Sequence, residues 1–242
     1  MHWLERTELL LGSKQLDGLR NANVLVVGLG GVGAYAAEMI CRAGVGKMTI
    51  VDGDVVEESN RNRQLPALIS TAGQPKAEIL ASRFRDINPE IELTVINDFI
   101  RDEKTIELLE SRPFDYVVDA IDTLSPKVFL IKHSLQSGLK VVSSLGAGGK
   151  LDPSQVRVSD ISGSYNCKLG RMLRKRLAKL GIKTGFKVVF SPEAIPEHAI
   201  RLEEGQNKKS TVGTISYMPP VFGCFVASVV IRDLMGNDFS SG

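Results

Sequence analysis

The chain has 242 residues, of which 43% are hydrophobic and 24% charged, values typical of a soluble globular protein built around one large domain. Its net charge of +2 is too small to indicate nucleic-acid binding from the chain as a whole. The three cysteines, Cys41, Cys167 and Cys224, form no Cys-x-x-Cys pair. They therefore exclude a disulfide framework and a Cys₄ zinc site, and they favour reduced thiols in a cytoplasmic protein.

Two segments bear on whether the chain meets a membrane. The first twelve residues include three charged side chains, which is not the pattern of a secretory signal peptide. Residues 210–231 contain no charged residue, but Pro219-Pro220 interrupts them, and the remaining 221–231 are too short to cross a bilayer. We expect a buried core helix or a dimer-interface helix here, with a membrane helix as the alternative.

Short, β-branched apolar runs alternate with helical patterns over the first 144 residues. Strands are predicted at 23–28, 48–51, 91–96, 116–120 and 139–144, and helices at 32–43, 76–87, 105–111 and 126–137. This alternation is typical of a Rossmann-like, doubly wound α/β fold with a mostly parallel sheet and helices on both faces.

The pattern changes after Gly146-Ala-Gly-Gly149. Two further strands are predicted at 156–158 and 188–190, in a different part of the sheet, with a basic helix at 169–180 between them. An exposed loop is predicted at 192–210. We therefore expect a single domain over 1–242 with an antiparallel C-terminal extension. The change of pattern divides this domain into a first part over 1–150 and a second part over 151–242.

The motif Gly28-Leu-Gly30-Gly31-Val-Gly33 lies between the first predicted strand and helix. Glycines at such a place allow a tight turn and close approach of the backbone to a phosphate, which the helix N-terminus attracts. Asp52 ends the second strand, where an acidic side chain binds ribose hydroxyls. These features indicate a nucleotide, and by themselves they favour NAD.

The following residues favour ATP over NAD. The run Ser59-Asn60-Arg-Asn-Arg63-Gln64 is polar and basic, and Lys76 begins the next predicted helix. A triphosphate normally requires arginine, lysine and a metal ion, and Asp122 follows a strand at the ligand-binding end of the sheet. The alternatives are a solvated loop for the basic run, an ordinary helical lysine for Lys76, and a helix N-cap for Asp122.

The order of these motifs, GxGGxG, Asp-x-Asp, Asn-x-x-Arg-Gln, Gly-x-Pro-Lys and Asp-x-x-Asp, resembles the ubiquitin-activating-type adenylyltransferase superfamily. The resemblance implies ATP and Mg²⁺ as cofactors, with catalytic roles for Arg6, Arg63, Lys76 and Asp122. The implied nucleotide-binding residues are Gly28, Gly30, Gly31, Gly33, Asp52, Asp54, Asn60, Arg63, Gln64, Lys76 and Asp122. Asp122 would also hold the metal, and Arg6 would enter the ATP site of the partner in a homodimer.

Later motifs narrow the resemblance to one branch of the superfamily. The chain lacks the two Cys-x-x-Cys pairs typical of sulfur-carrier adenylyltransferases, so no zinc is expected. Residues 146–153, 160–162, 190–193 and 213–219 resemble the branch that dehydrates threonylcarbamoyladenosine in tRNA. That resemblance implies adenylation of the threonine carboxylate in the anticodon loop and ring closure with loss of AMP. It leaves open whether a sulfurtransferase partner assists.

A basic segment bears on the substrate. Residues 161–192 hold eight lysines and arginines and no acidic residue. Leu169, Leu173, Leu177 and Leu180 form an apolar stripe at helical spacing. The opposite face, with Arg171, Arg174, Lys175 and Lys179, is a candidate tRNA-binding surface; the alternatives are a solvated helix and a membrane-surface helix.

The sequence gives no role in catalysis to its three cysteines, and it leaves two alternative functions open. Cys41 and Cys224 are expected in the core, and Cys167, without a histidine partner, is expected to be incidental. One alternative function is an adenylyltransferase that activates the C-terminal glycine of a ubiquitin-like sulfur carrier. The other is a non-catalytic Rossmann nucleotide-binding protein, which would leave Arg6, Arg63 and Lys76 hard to explain.

Overall fold

The computed structural model describes residues 2–202 and 210–236. The strands are β1 (Asn23–Val27), β2 (Lys47–Val51), β3 (Glu92–Ile96), β4 (Tyr116–Asp119), β5 (Lys140–Ser144), β6 (Arg157–Asp160), β7 (Lys187–Phe190), β8 (Ile200–Leu202) and β9 (Ser210–Val212). The helices are α1 (Glu5–Leu11), α2 (Ser13–Asn21), α3 (Gly33–Arg42), α4 (Lys76–Ile87), α5 (Glu103–Glu110), α6 (Leu124–Gln136), α7 (Lys168–Ala178) and α8 (Met218–Leu234).

The central sheet carries its strands in the order β3-β2-β1-β4-β5-β7-β6. Neighbouring strands are parallel except β6, which runs antiparallel to β7 at one edge. The predicted doubly wound, mostly parallel sheet with an antiparallel extension is therefore confirmed. The chain moves outward from β1 to β3 and then returns to β4, which leaves a crevice at the carboxyl ends of β1 and β4, the usual ligand site of such sheets.

Helices cover both faces of the sheet because the alternate side chains of each buried strand enter different cores. Val24 and Val26 of β1 join the core under α3, α4 and α8, whereas Leu25 and Val27 join the core under α5, α6 and α7. Gly223 lets α8 approach α3 closely, since a Cβ there would lie 2.7 Å from the Val32 carbonyl oxygen.

The apolar C-terminal segment forms a core helix, as expected, but the prolines have another role. Pro219 and Pro220 lie in the first turn of α8 rather than interrupting it, because the first helical turn needs no intrahelical N–H donors. Within 2–202 and 210–236, no helix is long and apolar enough to span a bilayer.

Some sequence predictions were wrong or incomplete. Cys41 is buried as expected, but Cys224 is exposed. Helix α8 is apolar on several faces, and α3 and the sheet cover only some of them. The predicted loop at 192–210 contains β8, and its residues 203–209 lie outside the described part of the chain. Helices α1 and α2 were not predicted.

A carboxylate network ties α3 to α4. Glu38 is 4% exposed and accepts hydrogen bonds from Arg83 Nε at 2.6 Å and Arg42 Nε at 2.9 Å. Burial disfavours the charged carboxylate, but these hydrogen bonds outweigh it and hold the pKa of Glu38 below its ordinary value of 4.5.

We expect Glu38→Gln to lower the free energy of unfolding by about 2 kcal/mol, less than for a fully buried pair because both arginines are partly exposed. Because the folded-state pKa is lowered, the contribution of Glu38 is present above pH 4.5 and is lost as the pH falls through the folded-state value. Urea denaturation of both proteins across this range checks the expectation. Glu107→Gln, at an exposed position, is the control. An equal loss of unfolding free energy in both variants would contradict the expectation for Glu38.

Candidate nucleotide-binding site

The glycine motif forms the loop between β1 and α3, and its glycines serve different purposes. Gly28 has a φ of +89°, and a Cβ there would lie 2.8 Å from the Ala120 carbonyl oxygen. A Cβ at Gly33 would lie 1.8 Å from the Gly28 carbonyl oxygen, and one at Gly31 would lie 2.9 Å from Pro219 Cβ. At Gly30 the nearest atom would be 3.8 Å away, so the loop is open on that side, where a phosphate would approach.

Asp52 joins the glycine loop to the turn after β2. Its Oδ2 accepts from the Leu29 amide at 2.6 Å, and its Oδ1 accepts from the Asp54 amide at 2.8 Å. Burial raises the pKa of Asp52 in spite of these hydrogen bonds. The carboxylate therefore fixes the loop geometry, and its remaining lone pairs are available to ribose hydroxyls.

Lys76 is buried at the start of α4, where the helix dipole disfavours a cation. Its side chain is 4% exposed, and its Nζ lies 3.0 Å from Asp54 Oδ2. The Lys76 amide also donates to the Asp54 carbonyl at 3.0 Å. The structure therefore brings together two predicted site residues, because the partly exposed Asp54 carboxylate holds the lysine charge in place.

The basic loop folds back on itself beside the glycines. Buried Asn60 accepts at Oδ1 from the Glu57 amide at 3.1 Å, and Arg63 donates to the Ser59 carbonyl and to Asn62 Oδ1, both at 2.8 Å. Gln64 Oε1 is buried without a hydrogen-bond partner among the described residues. Since buried polar atoms are normally paired, this oxygen is a sign of an absent ligand or water.

A second buried ion pair, which the sequence analysis missed, shapes the loop after β4. Asp119 and Lys127 are fully buried with their charged atoms 2.8 Å apart. Ser143 Oγ donates to Asp119 at 2.7 Å, and Lys127 Nζ donates to the Ile121 carbonyl at 2.9 Å. This network fixes the conformation of the loop that carries Asp122. In the sequence, the Asp-x-x-Asp motif was the feature that could have pointed to a role for Asp119.

Asp122 is exposed at the carboxyl end of β4, next to the glycine loop that contacts Ala120. The described residues contain no group of three or more His, Cys, Asp or Glu side chains that could hold a metal ion. Mg²⁺ bound to a nucleotide needs only one or two carboxylates, since phosphates and waters supply its other ligands. Asp122 therefore fits a nucleotide-bound Mg²⁺.

Arg6 lies away from the other predicted site residues of its own chain. It lines a groove between α1, α3 and α8, together with Met39 and Arg42 near the last turn of α3. Because α3 begins at the glycine loop and has ten residues, its length of about 15 Å separates Arg6 from that loop.

The basic helix α7 begins at the same edge of the sheet, since a Cβ at Gly170 would lie 2.8 Å from Leu145 Cδ1. Three of its candidate tRNA-binding residues are exposed: Arg171, Lys175 and Lys179. Arg174 is half-buried and donates to the Ser164 carbonyl at 2.7 Å and to its hydroxyl, so it has a structural role. Leu180, predicted in the apolar stripe, is 48% exposed, because α7 ends before it.

One crevice thus brings together the glycine loop, the polar loop, Asp52, Asp54 and Lys76. Comparison with known proteins agrees with a nucleotide site at this place. Residues 4–241 match the family model described as the ThiF family. The chain therefore belongs to the ThiF family.

Two relatives that match nearly the whole chain are both tRNA threonylcarbamoyladenosine dehydratases. The tRNA threonylcarbamoyladenosine dehydratase of Bacillus subtilis is 38% identical over 243 residues, which cover 97% of this chain and 95% of that protein. The solved structure of the Escherichia coli dehydratase TcdA in complex with ATP has a TM-score of 0.87 and 34% identity, covering 98% of this chain and 95% of that one. By contrast, the molybdopterin-synthase adenylyltransferase of E. coli is 34% identical over 54% of this chain.

Two arginines of the polar loop provide a matched test of nucleotide binding. Arg63 lies against the loop backbone, whereas Arg61 is paired with Glu58. We expect Arg63→Met and Lys76→Met each to weaken ATP binding by about tenfold or more, because each removes charge-assisted hydrogen bonds to phosphate. Arg61→Met should change it by less than about twofold, as measured by titration calorimetry. Equal losses at Arg61 and Arg63 would contradict a specific role for Arg63.

Proposed function

We propose that this protein is an ATP-dependent tRNA threonylcarbamoyladenosine dehydratase. The observation that carries the proposal is the extent of similarity. The likeness to the B. subtilis dehydratase covers 97% of the chain, including the part after Gly146, whereas the likeness to the molybdopterin-synthase adenylyltransferase covers 54%. The similarity to dehydratases therefore includes the part of the chain that we assign to substrate binding.

The crevice would suit carboxylate activation because Lys76 and Arg63 come from segments that border the glycine loop and would place positive charge near the phosphates. ATP would lie with its phosphates at Gly30, its ribose at Asp52, and its phosphate charge near Lys76 and Arg63. A threonine carboxylate oxygen of the substrate would attack the α-phosphorus, and the bond to pyrophosphate would break. The two side chains stabilise the charge that accumulates on the leaving pyrophosphate.

Ring closure then needs no nucleophile from the protein. An atom of the same modified nucleoside attacks the acyl carbon, and the bond from that carbon to the AMP oxygen breaks, with a net loss of one water from the nucleoside. Proximity within one bound nucleoside supplies much of the rate.

Asp122 would hold Mg²⁺ bound to the ATP phosphates, and when bound the ion neutralises charge on them. Asp54 would keep Lys76 directed at the crevice. Residues 1–150 would form the nucleotide-binding part, and 151–242 the substrate-binding and dimerisation part, of a cytoplasmic enzyme.

The enzyme would be a homodimer in which Arg6 reaches the ATP site of the partner. The distance from Arg6 to its own glycine loop supports this arrangement. So does the surface of α1, where Leu9 and Leu10 are 81% and 76% exposed, since exposed large apolar side chains are typical of contact surfaces.

Mass spectrometry of tRNA nucleosides after incubation with protein and ATP tests the function directly. We expect threonylcarbamoyladenosine to lose the mass of one water with the wild-type protein and to remain unchanged with Lys76→Ala or Asp122→Ala. ATP–pyrophosphate exchange that depends on a small ubiquitin-like carrier protein, with no loss of water from tRNA, would support the alternative adenylyltransferase. Binding of NAD in preference to ATP, without turnover, would support the non-catalytic alternative.

Mixed dimers test whether Arg6 acts across subunits. Arg6→Ala and Lys76→Ala should each be inactive, but a dimer of one copy of each has one site with both residues intact. After unfolding and refolding an equal mixture, about a quarter of wild-type dehydration activity should return, because half of the dimers are mixed and each has one intact site. If Arg6 acts within its own subunit, the mixture stays inactive.

A further inference from the structure

Two tyrosines are exposed at the substrate side of the crevice. Among the four tyrosines of the chain, Tyr116 is fully buried, whereas Tyr165 and Tyr217 are 46% and 42% exposed. Neither belongs to the two hydrophobic cores. Each ring therefore has a face available for contact with a ligand.

Tyr217 is anchored beside the nucleotide loop. Its hydroxyl donates to the Leu151 carbonyl at 2.7 Å, and it directly precedes α8. Two residues later, Pro219 packs against Gly31 of the glycine loop. The ring is therefore held at its hydroxyl end, a short distance along the chain from the place of the phosphates.

Tyr165 is anchored beside the basic helix. Its ring meets that of Phe190 edge to face, with centroids 5.6 Å apart. On one side along the chain, buried Ser164 accepts hydrogen bonds from Arg174 of α7. On the other side, Asn166 has a φ of +51°, a left-handed turn conformation that asparagine tolerates.

A continuous set of contacts connects the two tyrosines along the carboxyl edge of β5 and β7. Phe190, the neighbour of Tyr165, ends β7 and leads to Glu193, whose carboxylate accepts from the Leu151 amide at 2.9 Å. Lys150 is buried and donates to the Glu193 carbonyl. Since the Leu151 carbonyl in turn accepts from Tyr217, hydrogen bonds and short chain segments connect both rings between the glycine loop and α7.

The charge of this surface favours nucleic acid as its occupant. Lys168 and Arg171 are exposed in the first turn of α7, and residues 161–192 include no acidic side chain. The neighbouring Glu193 carboxylate accepts hydrogen bonds from the Leu151 and Asp152 amides. Proteins recognise RNA loops by stacking unpaired bases on aromatic side chains, while lysine and arginine contact the phosphates. A second copy of this chain would bring the same positive charge and is disfavoured.

We propose that Tyr165 and Tyr217 stack on unpaired bases of the tRNA anticodon loop that flank the modified adenosine. The inference rests on the proposed function, since that function supplies the RNA. Stacking would hold the loop open and place the modified nucleoside over the crevice. The tyrosines are thus positioning and recognition residues, and they take no part in the chemistry.

Affinity for an anticodon stem-loop carrying threonylcarbamoyladenosine, measured by fluorescence anisotropy, tests the stacking. We expect Tyr165→Leu and Tyr217→Leu each to raise the Kd by about tenfold, equivalent to about 1.4 kcal/mol, and to leave ATP affinity unchanged. Tyr165→Phe should bind like the wild type, because it keeps the ring. Tyr217→Phe keeps the ring but loses the hydrogen bond to Leu151, so its Kd should lie between those of the wild type and Tyr217→Leu. The tyrosine variants should keep the wild-type salt dependence, whereas Arg171→Glu should reduce it.

Photo-crosslinking keeps the proposal testable if a leucine variant does not fold. Stem-loops with 5-iodouridine at single loop positions should crosslink the wild-type protein at Tyr165 or Tyr217, as mapped by mass spectrometry. Crosslinks only at other residues, unchanged affinity of the leucine variants, or phenylalanine variants as weak as the leucine ones would overturn the proposal. These measurements require no turnover, so a wild-type protein that binds the stem-loop without dehydrating it would reject the proposed function separately.

Discussion

The fully buried ion pair between Asp119 and Lys127 is the interaction on which the crevice depends. Removing either partner would leave an uncompensated charge in the core, which typically costs about 3–5 kcal/mol. The same carboxylate accepts from Ser143 of β5, and the loop that it stabilises contacts the glycine loop after β1. One interaction thus sets the relative positions of three neighbouring strand ends, over which nucleotide and substrate would meet.

Three cations of the predicted sites are also restrained before any ligand binds. Lys76 is held by Asp54, Arg63 by a loop carbonyl, and Arg174 by Ser164. Because the side chains are already oriented, little rotamer freedom remains to be lost on binding. A triphosphate would compete with Asp54 for Lys76. If Lys76 leaves Asp54 to bind the phosphates, water can stabilise the Asp54 carboxylate because it is partly exposed.

The features set by local sequence could be predicted, whereas contacts between distant segments could not. The predicted helix at 76–87 coincides with α4 because its apolar spacing is set along the chain itself. The Asp119–Lys127 pair was missed because a lysine in a helix is usually exposed, and only the tertiary fold buries this one. The exposure of Cys224 was missed because α8 is apolar on several faces, so its sequence does not tell which face is covered. The contact of Pro219 with Gly31 could not be predicted either, because it joins segments that are far apart in the chain.

The four glycines of the phosphate loop are required for two unrelated reasons. Gly28, Gly31 and Gly33 have no space for a side chain in the protein itself, so any replacement there is opposed during folding. Gly30 has that space, so a methyl group at this position would be opposed only by a ligand that approaches the loop there. Loss of one of the three crowded glycines would therefore be expected to impair folding, whereas loss of Gly30 would be expected to leave a folded protein that no longer binds the nucleotide.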